Sequence, residues 1–263
     1  MFGRITPIVK NLLIINVVLA LVPEMLKIDL GRGFGLYFIL SDHFQPFQFV
    51  TYMFLHGGMR HLFGNMLMLF FIGPMLENAL GPKKFLILYM VTGLGGGILY
   101  TAANYAEMSV IRADVESYVS APNAQDFNTL MVDHADNIYN QNIYKFTDQY
   151  ARNENDRTLI QQSIGYARGL YSYFGDYPMV GASGAVYGIL AMLGLLFPNT
   201  ELRLFFMFPI KVKFLVGALI VMEVFSEFQR TPGDNVAHLA HLGGALFAWG
   251  LLKYWKKDGK SFY

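Results

Sequence analysis

The sequence predicts an all-α polytopic membrane protein: a six-helix transmembrane bundle interrupted by a helical insert. Three observations carry this. Of 263 residues, 54% are apolar and 15% charged, against about 25% charged in a soluble globular domain, and the mean hydropathy is +0.36. Six apolar segments approach the roughly 20 residues needed to cross a bilayer. The Lys and Arg residues of the short connections fall on one side of those segments. The same composition excludes collagen, coiled coil and wholly disordered chains. A net charge of +1 implies no bulk attraction to nucleic acid. Cysteine is absent, which excludes a disulfide framework, a thiolate zinc site and a cysteine nucleophile.

The first span covers about 8–23. Arg4 and Lys10 before a short apolar core would also suit a signal peptide, but no small-x-small cleavage site follows and more spans come later, so a retained helix is expected. Segments 33–41 and 47–55 are broken by Gly, Asp, His and Pro and suit a loop lying in the membrane interface. The second span is about 61–80 and the third about 84–104, separated by a Gly81-Pro82 turn and two lysines. Residues 105–178 then hold ten acidic and five basic side chains, net −5, while the rest of the chain is net +6. Apolar positions 127, 130, 131, 138 and 139, and again 159, 160, 164, 167, 170 and 171, follow helical spacing. A small, Tyr-rich, mostly helical region outside the bilayer is expected there, with disorder as the alternative. Three more spans follow at about 182–198, 211–228 and 235–254. The division is thus a membrane core of 1–104 and 179–263 around an insert of 105–178.

Orientation follows from the basic residues of short loops. Arg4 and Lys10 precede span one; Lys83 and Lys84 join spans two and three. Arg203, Lys211 and Lys213 join spans four and five; Lys253, Lys256, Lys257 and Lys260 follow span six. With six spans these eleven of twenty basic residues share one face, expected to be cytoplasmic. Both termini then lie inside and the acidic insert outside.

Charged side chains in hydrocarbon cost roughly 2.5–3.5 kcal/mol on insertion scales, so polar residues within spans need a reason. In span two, His61 and Asn65 are four apart and share a helical face. Both can donate hydrogen bonds, although helix–helix adhesion would explain them equally. Span four opens Gly181-Ala182-Ser183-Gly184, a turn that exposes Ser183 at a helix start where free N–H groups favour developing negative charge. Gly184 and Gly188 alone would read as a small-residue helix contact. Tyr187 lies one turn past Ser183. In span six, His241 shares a face with Gly244 and Ala248, whose small size lets another backbone approach. A serine, a histidine and two side-chain donors on three helices are the parts of acyl-transfer catalysis. No aspartate or glutamate lies within span six to orient His241, and Asp234 is about two turns away, so a Ser–His dyad is expected. His56, His61, His238 and His241 raise a metal site, but His-Glu-x-x-His is absent and no Asp or Glu is expected beside these histidines within the spans. No metal or cofactor is expected. Glu223 and Glu227 in span five suit an ion path or a wet cavity.

These residues resemble the rhomboid intramembrane serine proteases. The resemblance covers 8–104 and 179–254 and rests on His56-x4-His61-x3-Asn65, Gly181-x-Ser183-Gly184 and Ala240-His241-x-x-Gly244. It implies a six-transmembrane rhomboid-like bundle with Ser183 as nucleophile and His241 as general base. His61, Asn65 and the Ser183 backbone N–H would form the oxyanion hole. Tyr187 would stack on His241 in place of an orienting acid. Glu77 matches a structural glutamate, and 24–60 a membrane-embedded first loop. Phe47-Gln48 stands where Trp-Arg is common, and Ala248 where Gly is. The polar segment 229–235 would cap the site. The implied activity is hydrolysis of peptide bonds in or near transmembrane segments, with membrane-protein substrates and the lipid bilayer as partners. A bacterial inner (plasma) membrane is the expected location. A catalytically inactive relative acting as a binding or quality-control module, and a metal or ion transporter, are the alternatives. The resemblance has no counterpart for the long insert.

Overall fold

The computed structural model describes residues 4–135, 141–204, 208–229 and 237–257. Among the described residues the chain is all-α apart from one small hairpin. Helix α1 is Pro7–Leu26, α2 Met59–Leu80 and α3 Pro82–Ser120. Helices α4 (Ala124–Ala135), α5 (Gln141–Arg152) and α6 (Arg157–Gly175) follow. Then come α7 (Ser183–Leu196), an antiparallel hairpin of β1 (Glu201–Leu204) and β2 (Phe208–Lys211), α8 (Val212–Phe228) and α9 (His238–Lys257). Among the described residues, α1, α2 and α3 are long and apolar enough to cross a membrane; α7 is a shorter apolar helix. Outward apolar side chains such as Phe63, Val221 and Phe225 are exposed, as a lipid-facing surface requires.

Helix α1 starts at Pro7, whose missing N–H costs nothing in the first turn. Its buried residues, Val9, Leu12 and Asn16, form one narrow stripe. The next free amides, Ile8 and Val9, donate to the Glu77 carboxylate at 3.1 and 2.9 Å. Glu77 sits buried in the last turn of α2, so one side chain caps the start of α1 and ties it to the end of α2.

The connection from α1 to α2 holds short helical turns at Gly31–Phe34, Gln48–Thr51 and Tyr52–Phe54 rather than a plain loop. Gln48 is buried and organises it. Its side chain donates to the His43 carbonyl at 2.9 Å and accepts from the Gln45 amide at 3.0 Å. The connection then reaches the segment before α7. Leu36 and Met179 exchange two backbone hydrogen bonds of 2.8 and 2.9 Å, and the Gly181 amide donates to the Tyr52 carbonyl at 3.0 Å.

The third apolar segment was expected to end near 104, yet α3 continues to Ser120. No Gly or Pro interrupts it after Gly97, and Met108, Ile111, Val115 and Tyr118 put an apolar stripe on the extension at i, i+3, i+7 and i+10. That stripe forms a second, smaller core with Phe127, Leu130 and Met131 of α4 and Leu159, Ala167 and Leu170 of α6. The Tyr118 and Ser163 hydroxyls hydrogen-bond within it. Phe38, from the connection between α1 and α2, enters the same core. Asp156 caps α6 by accepting from the Thr158 and Leu159 amides. Positions 138 and 139 lie outside the described residues.

Candidate active site

Ser183 is the first residue of α7. The turn before it depends on Gly181, whose φ of 145° is one that L side chains rarely adopt. A side chain there would also collide with His61: a Cβ on Gly181 would lie 2.7 Å from His61 Cε1 and 3.6 Å from Ser183 Oγ. The His61 ring therefore stands directly against the Gly181–Ser183 turn. Behind it, the His56 ring meets His61 edge-on, with centroids 5.2 Å apart. Asn65, one turn along α2, is buried, and its amide nitrogen has no hydrogen-bond partner. An unpaired buried donor costs about 1–3 kcal/mol.

Three helices meet behind Ser183, and at Gly96, Gly184 and Gly244 backbone packs on backbone. A Cβ on Gly244 would lie 1.9 Å from the Gly184 carbonyl oxygen, and one on Gly96 2.7 Å from the Ala240 carbonyl oxygen. Glycine is required at this crossing because backbone faces backbone. Ser183 and His241 are the chain neighbours of Gly184 and Ala240, and both line the cavity beside this crossing of α3, α7 and α9. The Tyr187 ring stacks on His241, centroids 4.2 Å apart and planes within 3°.

A carboxylate from α8 stands beside the two histidines of α9. Buried Glu223 accepts a hydrogen bond from the Tyr187 hydroxyl and meets His238 Nδ1 at 2.6 Å. Its Oε2 also stands 2.9 Å from His241 Nδ1, close but off the line of a ring N–H. The expectation that no carboxylate stands beside these histidines is therefore corrected. Periodicity within one helix reports its own faces and is silent on which neighbouring helix faces it; the only available signal was the carboxylate in an apolar segment. Glu223, His238 and His241 offer ligand atoms within 4.8 Å of one another. Both imidazole nitrogens, however, approach one carboxylate oxygen at hydrogen-bond lengths. Ligands about 2.0–2.1 Å from a tetrahedral zinc would stand farther apart, so this arrangement fits proton sharing.

One cavity of about 920 Å³ is lined by His61, Asn65, Ser183, Tyr187, His238 and His241. It extends beyond the membrane core to Glu107 of α3, Asp133 and His134 of α4 and Tyr173 of α6, residues that the sequence reading left out of the site. The capping segment expected at 229–235 lies, from 230 onward, outside the described residues.

The Rhomboid domain family model matches residues 43–112 and 158–256, leaving out the middle of the insert. RHOMBOID-like protein 1 of Arabidopsis thaliana is 33% identical over 88 residues, 34% of this chain and 22% of that protein. RHOMBOID-like protein 2 of the same plant is 41% identical over 61 residues, 23% of this chain and 19% of that protein. Rhomboid protease GlpG of Yersinia pestis is 28% identical over 82 residues, 30% of each chain. The matched stretches thus span about a fifth to a third of these curated relatives. The family model covers well over half of the sequence, on both sides of the insert's centre, and on that ground this chain belongs to the rhomboid family.

Proposed function

We propose that this chain is an intramembrane serine protease that hydrolyses peptide bonds in or near the transmembrane segments of membrane proteins. The observation that carries the reading is the unpaired Asn65 amide in the same cavity as Ser183 and His241, with His61 against the Ser183 turn. That is a donor set awaiting an oxyanion. Ser183 Oγ attacks the scissile carbonyl while His241 takes its proton. His61, Asn65 and the Ser183 amide then hold the negative oxygen. His241 returns the proton to the leaving amine, which departs and leaves an acyl-enzyme. Water repeats the sequence, His241 taking its proton, and frees Ser183 and the new carboxyl end. The family resemblance and the protease named among the relatives support this reading.

The proposal extends to topology. Helices α1, α2, α3, α7, α8 and α9 are the six spans, with both termini in the cytoplasm and 105–178 outside, next to the cavity mouth. The insert selects substrates, as its share of the cavity wall supports. The test is cleavage of a transmembrane substrate by pure protein in detergent. Ser183→Ala and His241→Ala abolish cleavage while leaving the helical content unchanged, and a fluorophosphonate labels Ser183 alone. Cleavage surviving in Ser183→Ala refutes the serine mechanism.

A further inference from the structure

We infer that Glu223 is the positioning acid of His241, making the site three-membered with its third member supplied by α8. This rests on the Ser183–His241 reading.

Helix α8 is apolar and largely exposed; of its seventeen residues only Val212, Val216 and Glu223 are buried. A carboxylate is the costliest of these to bury unless it is paired. Glu223 is paired with the Tyr187 hydroxyl and with His238 Nδ1 at 2.6 Å, and the same Oε2 lies 2.9 Å from His241 Nδ1. The nitrogen it approaches is the one that matters. A carboxylate at Nδ1 keeps the resting proton there and leaves the Nε2 lone pair to accept the serine proton. It then faces the imidazolium that forms, without itself taking the proton.

The off-line approach to His241 is the resting geometry of such a contact, since catalytic hydrogen bonds often tighten only when substrate binds. The Tyr187 stack restrains the His241 ring: with planes within 3°, tilting the ring breaks the stack. Tyr187 holds both partners, Glu223 through its hydroxyl and His241 through its ring face.

The test uses the full chain in detergent with a fluorogenic transmembrane peptide. Replacing the orienting acid of a serine protease by its amide costs up to about 10⁴-fold in kcat. Glu223→Gln is expected to lower kcat on the order of 10²-fold or more with KM within about twofold, and Glu223→Asp to recover part of the loss. A residue that only holds α8 in place would lower the melting temperature and leave the kcat of the folded fraction intact. Glu223→Gln that is folded and keeps kcat within about threefold of wild type overturns the inference. Nitrogen-15 NMR of histidine-labelled wild-type protein provides a readout independent of variant folding and of activity. The inference requires the resting His241 proton on Nδ1, and an Nε2–H tautomer overturns it. Wild-type protein that neither cleaves nor is labelled at Ser183 defeats the protease reading instead, and the tautomer still decides the Glu223 contact.

Discussion

Gly244→Ala tests the idea that bare backbone contact sets the active-site geometry. The added Cβ would start 1.9 Å from the Gly184 carbonyl oxygen. An ordinary C···O contact is about 3.3 Å, so α7 and α9 must part by about 1.4 Å. No flexible side chain can absorb this, because the obstructing atom is main chain. A misplacement of about 1 Å can cost about 10²-fold in rate, so kcat should fall at least that far. Overpacking of this kind costs about 1–3 kcal/mol of stability, so the protein should still fold. The control is Gly250→Ala, on the same helix, where a Cβ meets nothing within 4 Å. It should keep full activity and gain slightly in stability from helix propensity. Rates on a fluorogenic transmembrane peptide and melting curves in one detergent give both quantities. Gly244→Ala with wild-type kcat would refute the claim that this crossing places Ser183 and His241.

Asn65→Ala should lower kcat by about 10²-fold with little change in KM, since removing one oxyanion donor typically costs that much; a raised KM at constant kcat would return Asn65 to helix adhesion. Glu77→Ala should lower stability by about 1–3 kcal/mol through two uncapped amides, that of Val9 buried and that of Ile8 half-buried, while the folded protein keeps its kcat, as read by melting curves and rates on the same sample. Replacing 108–175 by a short Gly-Ser linker should preserve cleavage of a small generic substrate and change the rate or choice of protein substrates. The graft is sterically reasonable because Met108 Cε lies 3.6 Å from where a Gly175 Cβ would be. A folded graft that is dead toward the small substrate would make the insert part of the chemistry.

The helices of the apolar segments were legible because a long apolar run has few other uses, and the predicted limits of those segments fall within a few residues of α1, α2, α7, α8 and α9. Ser183, His241, His61 and Asn65 were legible as candidates because each motif sits at a helix end with fixed spacing. What escaped was non-local or lacked an apolar signature. Glu223 meets residues 15 to 36 positions away across two helices, and no one-dimensional period encodes that pairing. The extension of α3 was within reach, since 108, 111, 115 and 118 carry a helical stripe. It was obscured by the polar residues between them, which break the apolar run without ending the helix. The β1–β2 hairpin rests on backbone pairing of Glu201 with Lys211 and Leu202 with Ile210, for which a short apolar loop gives little warning.

The unbroken course of α3 has a mechanical meaning. Its glycine-bearing part lies in the three-helix crossing behind Ser183, and its far end is built into the core of the insert. From residue 98 to Ser120 it contains neither glycine nor proline, so nothing along roughly 35 Å of helix offers a hinge. The second core and the glycine-packed crossing behind Ser183 are therefore joined by one stiff rod. A force applied through α4 or α6 would reach the back of the cavity as well as its rim.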